Sequence, residues 1–182
     1  MTTGQDSVRR GEDPGALVTR PRRRDLAPLA RLRLAAIERM VANRNRKAAR
    51  RLESMAPLWA LMTEYARGTD VTGASYSDYL TLYEQVRFYK PREVLECGTG
   101  ISTVVLAQAL SENEADGHGG GRVTSMEEDD GWVFTARERL PQALMSRVDI
   151  VHSPKIDGFY KYFRGVQYME LPDRPYDFVF SD

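Results

Sequence analysis

Val94-Leu95-Glu96-Cys97-Gly98-Thr99-Gly100-Ile101-Ser102-Thr103 is the stretch that decides how the rest of the chain is read. Val94 and Leu95 read as the end of a buried strand, with Glu96 at its carboxyl end. Gly98 and Gly100 suit a tight turn. Ser102 can cap the helix that follows, expected over Ile101–Leu110 with Val104, Val105, Leu106 and Leu110 apolar. Strand, glycine turn and helix form the opening half of a nucleotide-binding α/β unit. A pyrophosphate fingerprint has the form G-x-G-x-x-G, its third glycine allowing close helix–strand packing. Here the third position is the β-branched Thr103, and an acid stands two residues before the first glycine. An anionic pyrophosphate gains little from Glu96. A ligand without phosphate and with positive charge suits this turn better.

Three later segments extend the pattern. Arg122–Glu127 reads as a second strand ending in Glu127-Glu128-Asp129-Asp130. Val148-Asp149-Ile150-Val151 reads as a third, followed by His152 and Ser153. Tyr176-Asp177-Phe178-Val179-Phe180-Ser181-Asp182 reads as a fourth, with an acid at its tip. The glycine turn behind Glu96, the acidic end of the second strand and the tyrosine-aspartate-apolar-aspartate fourth strand occur in the order found in class I S-adenosylmethionine-dependent methyltransferases. Residues 76–182 resemble that family.

The resemblance implies an α/β fold, a Rossmann-like three-layer sandwich with a parallel sheet in the order 3-2-1-4, preceded by N-terminal helices. It implies S-adenosylmethionine as cofactor and methyl transfer to a small-molecule acceptor, with oxygen favoured. It places cofactor contacts at Glu96, Gly98, Thr99, Gly100 and Ser102. Glu127 would accept from the ribose hydroxyls, with Glu128 as the alternative, because a carboxylate can accept two donors at once. Glu127 lies 127 − 98 = 29 positions after Gly98. A dinucleotide fold expects about 20, and a glycine-rich loop at 111–121 can absorb the difference. Trp132, opening a helix to Leu140, either packs near the adenine or belongs to the core. His152 and Ser153 fall where family members contact adenine. Tyr76 would line the site. Asp182 would face the reactive methyl group and is the catalytic candidate; no metal is carried over.

Before this region the chain changes character. Residues 1–51 hold 14 Lys+Arg and 5 Asp+Glu (14 − 5 = +9), and residues 52–182 hold 12 and 21 (12 − 21 = −9), so the overall net charge of zero conceals two unlike parts. Residues 1–25, with Arg22-Arg23-Arg24 and scattered Gly and Pro, read as a disordered basic arm. Residues 26–75 read as a helical region. Its first helix, 26–53, carries Leu29, Leu32, Ala36 and Met40 at helical spacing with six arginines on the exposed side. Such a helix packs against the domain or a second subunit, or lies on an anionic surface. A second helix spans Leu58–Ala66. A third spans Tyr76–Tyr89, opened by Ser75 and Asp78 in capping-box spacing.

Other features narrow the classes. The single cysteine, Cys97, excludes an internal disulfide and a cysteine-cluster zinc site. His118 has no ligand-spaced partner. No run approaches the ~18 apolar residues of a membrane span and no apolar signal region opens the chain, so the expected compartment is cytoplasmic. The aromatic and basic run Gly158–Gly165 suits a crossover helix, a substrate lid or a nucleic-acid contact. The resembling fold has seven strands and four are placed. The chain therefore reads as the N-terminal portion of a longer protein, or a partner such as a second copy covers the fourth strand. Two other functions compete: an NAD(P)-dependent oxidoreductase using the same turn, and a non-catalytic module binding an anionic partner through its basic N-terminus.

Overall fold

The structure, a computed structural model, describes residues 28–68 and 73–181. The expected basic arm and Asp182 lie outside the described residues. The chain divides between Met40 and Val41 into two units. In the first, the described residues are the opening turns of helix α1 (Pro28–Glu53), where Leu29, Leu32, Ile37 and Met40 are exposed.

The second unit begins with the later turns of α1, which bury Ala48 and Leu52. It continues through α2 (Ala56–Ala66), α3 (Tyr76–Tyr89), β1 (Glu93–Cys97), α4 (Ile101–Ala115), β2 (Arg122–Glu127) and α5 (Asp130–Arg139). A 3-10 turn (Gln142–Arg147) leads to β3 (Val148–His152), β4 (Lys155–Tyr160), β5 (Phe163–Tyr168) and β6 (Phe178–Ser181). The capping box forms: Ser75 Oγ accepts from the Asp78 amide, and the Asp78 carboxylate accepts from the Ser75 amide. At the other end Lys90 takes φ 54°, and Pro91 cannot continue the helix.

The main sheet has the order β3-β2-β1-β6 with every pairing parallel. This is the expected α/β arrangement, Rossmann-like in its strand order. Paired residues of a parallel sheet share a face. On one face Val94, Val123 and Ile150 join buried residues of α2, α3, α4 and α5 in a single core, with Phe178 and Phe180 packed against it. Leu95 and Met126 are buried on the opposite face. Asp177 fixes where β1 starts: its carboxylate accepts from the Arg92 and Glu93 amides, and its own amide donates to the Glu93 carbonyl. Strand order reverses between β1 and β6, which is where a ligand sits in open α/β sheets.

Two expectations are corrected. Helix α4 runs to Ala115, so the loop expected from 111 is only 116–121 long. Its last turns are polar because they are tied to neighbours. Asn113 is buried, donating to the Val86 carbonyl and accepting from Arg87, while Glu112 accepts from Tyr83 and Glu114 from Arg147. The loop closes at Gly121, where a Cβ would lie 2.8 Å from Leu110 and 2.9 Å from the Pro91 carbonyl, so only glycine fits. The run at Gly158–Gly165 is no crossover helix either. It is the antiparallel hairpin β4–β5, turning at Lys161 and Tyr162. Its β-branched and aromatic residues favour strand over helix. Most of its side chains are exposed on both faces, Tyr162 at 97%.

Candidate functional site

At the carboxyl ends of β1 and β2 lies a cavity of about 510 Å³. The chain leaves β1 through Gly98, whose φ of 100° calls for glycine; a Cβ there would meet nothing within 4 Å, so conformation and not space is the reason. Its amide donates to the Met126 carbonyl. Gly100 is extended and precedes α4. The helix begins at Ile101, so Ser102 lies inside the first turn and does not cap it, contrary to expectation. The Gly100 amide is instead satisfied by the Thr103 hydroxyl at 3.0 Å.

Thr103, which breaks the pyrophosphate fingerprint, is the hub beneath the turn. Its hydroxyl also donates to Glu96 Oε2 at 2.6 Å, and Ser125 Oγ donates to the same oxygen at 2.7 Å. Glu96 is fully buried. It alternates onto the helix-covered face, where α4 closes over it, so it stands below the cavity and not on its wall. Its charge is still felt there. Tyr65 of α2, only 3% exposed, lines the cavity, and its phenol is pushed up to about 12 by burial first and then by Glu96.

Glu127 does reach the wall. Oε2 accepts from the Thr99 amide at 3.2 Å, and Oε1 accepts from the Glu128 and Asp129 amides at 2.8 and 3.0 Å. A carboxylate offers about four acceptor positions, so one remains open. A grip on two hydroxyls would displace one amide, the Thr99 bond being the longest. Asp129 caps α5 by accepting from the Trp132 amide, and Trp132 lines the cavity. Lys155 completes the rim, paired with Glu128 at 3.0 Å, which raises it above the ordinary lysine range. Cys97 also faces the cavity, its thiol pushed up by burial. Among the described residues the charged lining is therefore Glu127, Glu128 and Asp129 against Lys155.

Of the residues expected at the site, Gly98, Thr99, Gly100, Ser102, Glu127 and Trp132 come together on the wall. His152 and Ser153 do not line it. His152 leans on the Glu128 carbonyl and Asp130, and Ser153 is buried with its hydroxyl accepting from the Glu170 amide. Tyr76 packs at a tilt against Trp59 and is not among the residues lining the cavity. Tyr65, Tyr79 and Lys155 line it without having been singled out. The two tyrosines sit at ordinary helix-packing positions. Lys155 lies at the base of the hairpin, just before the run expected to be a crossover helix, a substrate lid or a nucleic-acid contact. Among the described residues no group of three His, Cys, Asp or Glu could hold a metal ion.

No family model matches the chain, and no curated protein matches it. Solved structures do. An O-methyltransferase from Bacillus cereus, in complex with S-adenosylhomocysteine, is 25% identical, covering 69% of this chain and 53% of that one, with a TM-score of 0.47. The S-adenosylhomocysteine-bound Podospora anserina methyltransferase PaMTH1 is 15% identical over 59% of this chain and 50% of its own, with a TM-score of 0.45. The O-methyltransferase TomG from Streptomyces achromogenes, in complex with S-adenosylmethionine, is 24% identical over 52% and 41%, with a TM-score of 0.40. The chain spans about half the length of these structures or less. Among the described residues no helix is long and apolar enough to cross a membrane.

Proposed function

We propose that the cavity binds S-adenosylmethionine and that the protein transfers its methyl group to a small molecule, at oxygen. One observation carries this reading: a cavity of about 510 Å³ at the reversal of strand order, closed by a positive-φ glycine and lined, among the described residues, by three acids against one lysine. Its volume suits a ligand of nucleoside size. Its acids disfavour a pyrophosphate and favour a cation, which weighs against the NAD(P) alternative. The bound cofactor supplies an electrophilic methyl group on a sulfonium. Glu127 would accept from its ribose, Trp132 and Ile101 would flank the base, and the backbone of Gly98–Gly100 would lie along its amino-acid portion. Glu96 would act from below, by charge and by holding Thr103. Asp182, which follows Ser181 at the end of β6, remains the candidate on the acceptor side.

Calorimetric titration with S-adenosylmethionine, S-adenosylhomocysteine and NAD tests the reading. Binding of the first two with no heat from NAD is expected; binding of NAD alone overturns it.

The same proposal keeps three regions: an arm over 1–25, a helical part over 26–75 and the cofactor-binding part over 76–182, in a cytoplasmic setting. The exposed Leu29, Leu32, Ile37 and Met40, with Arg31, Arg33 and Arg39 between them, support α1 as a contact segment for an anionic surface or a second copy. Pelleting with anionic but not neutral vesicles would support the first, and a dimeric mass in solution the second.

A further inference from the structure

The cofactor cavity has a neighbour. A second cavity, of about 630 Å³, lies between the sheet face that carries Leu95 and the segment from Val166 to Leu171. The two cavities share Cys97 and Lys155 as lining residues. We propose that this second cavity is a binding site for a largely apolar organic anion, bearing one carboxylate or phenolate oxygen, that Lys155 holds beside the cofactor cavity. Its role as the acceptor pocket rests on the methyl-transfer reading; its existence as an anion site does not.

The two linings are opposite in sign. Among the described residues the first presents three acids and Lys155. Among those of the second, Lys155 is the one formal charge, Cys97 being a thiol that burial keeps neutral. The other walls are Leu95, Val166, Met169 and Leu171, with the neutral polar side chains of Gln167 and Ser181 and the Tyr168 ring set 5.3 Å from the Lys155 ammonium. Tyr168 itself is fixed, its hydroxyl donating to the Met126 carbonyl. A mostly apolar cavity with a cation at its shared end recognises an amphiphile by two features at once: its body by burial and its head by charge. The ammonium carries three donors and spends one on Glu128 at 3.0 Å, so it can serve both an acid on the cofactor side and an anion on the other. A cation would be favoured in the first cavity and an anion beside Lys155 in the second, which keeps two different ligands in separate places. An acceptor already bound as an oxyanion would also need no general base.

The test uses 2-naphthoate and its neutral counterpart 2-naphthamide, titrated into the whole chain by fluorescence. Naphthoate should bind about tenfold more tightly than the amide, as one charge-assisted contact implies. Lys155→Met should erase the preference and Lys155→Glu should reverse it. Val166→Glu, a change on an exposed position that adds a negative charge to the slot, should weaken naphthoate without touching the lysine. Equal binding of the two probes, or a preference that survives Lys155→Met, overturns the anion site. S-adenosylhomocysteine is titrated separately. If it fails to bind while the Lys155-dependent preference persists, the methyl-transfer reading falls and the anion site stands. If it binds while the preference is absent, the reverse holds.

Discussion

Glu96 and Glu127 are the same residue at the same end of neighbouring strands, both on the helix-covered face, and the structure uses them in opposite ways. Glu96 is still opposite a strand partner, Ser125, and α4 lies directly over it; its carboxylate is enclosed and held by two hydroxyls. Glu127 lies past the last residue of β1, where the chain has already turned away at Gly98, and its carboxylate gathers backbone amides at the rim of a cavity. Two residues of strand length separate a carboxylate that builds the turn from one that a ligand can reach. Position relative to the neighbouring strand's end, and not residue type, decides which acid is available.

The contrast can be broken by experiment, most severely at Glu96. Glu96→Ala leaves the Thr103 and Ser125 hydroxyls without their acceptor and opens a void, and should lower unfolding free energy by roughly 3–5 kcal/mol in urea titrations. If it instead left stability unchanged and abolished only ligand binding, the division of roles would be wrong. Gly98→Val places a β-branched residue at φ 100° and should cost about 1–3 kcal/mol, with loss of S-adenosylhomocysteine binding in the same sample. Glu127→Ala should cost only about 1 kcal/mol of stability but weaken S-adenosylhomocysteine at least ~tenfold by calorimetry. Equal losses of stability in Glu96→Ala and Glu127→Ala would erase the distinction.

The smallest effect is one of pH. Burial, with Glu96 next for Tyr65 and the Glu112 hydrogen bond next for Tyr83, pushes both phenols up to about 12 from a usual 10. The folded state thus holds these protons more tightly than the unfolded chain. Their contribution is complete below pH 10 and is lost as pH rises through 10 to 12. The melting temperature should fall across that window, and Tyr65→Phe should flatten part of the fall.

Much of the frame was legible because it rests on local chemistry. The strands containing Val94, Val123, Ile150 and Phe178, the capping box at Ser75 and the bend at Gly98 each follow from a short run of residues, and strand order follows from connectivity. What stayed hidden depended on partners distant in sequence. The turn from Ser111 to Ala115 looks like a loop until Asn113 is seen donating to Val86 and Glu112 receiving Tyr83. The hairpin after Ser153 was obscured by its exposed aromatics, which carry no alternation of buried and solvent positions. Tyr65 and Tyr79 enter the cavity from spacings that equally describe core packing. At the site, the acidic run after β2 could be read, but which acid faced inward depended on where β1 stopped.

Gly121 has a practical consequence. Because it alone fits against Leu110 and the Pro91 carbonyl, the register of β2 is set at that point and not by the length of what precedes it. Loop length upstream carries little energetic weight once both ends are anchored. A reporter peptide spliced between His118 and Gly119 should therefore leave Glu127 in place, giving a handle for labelling the molecule far from either cavity.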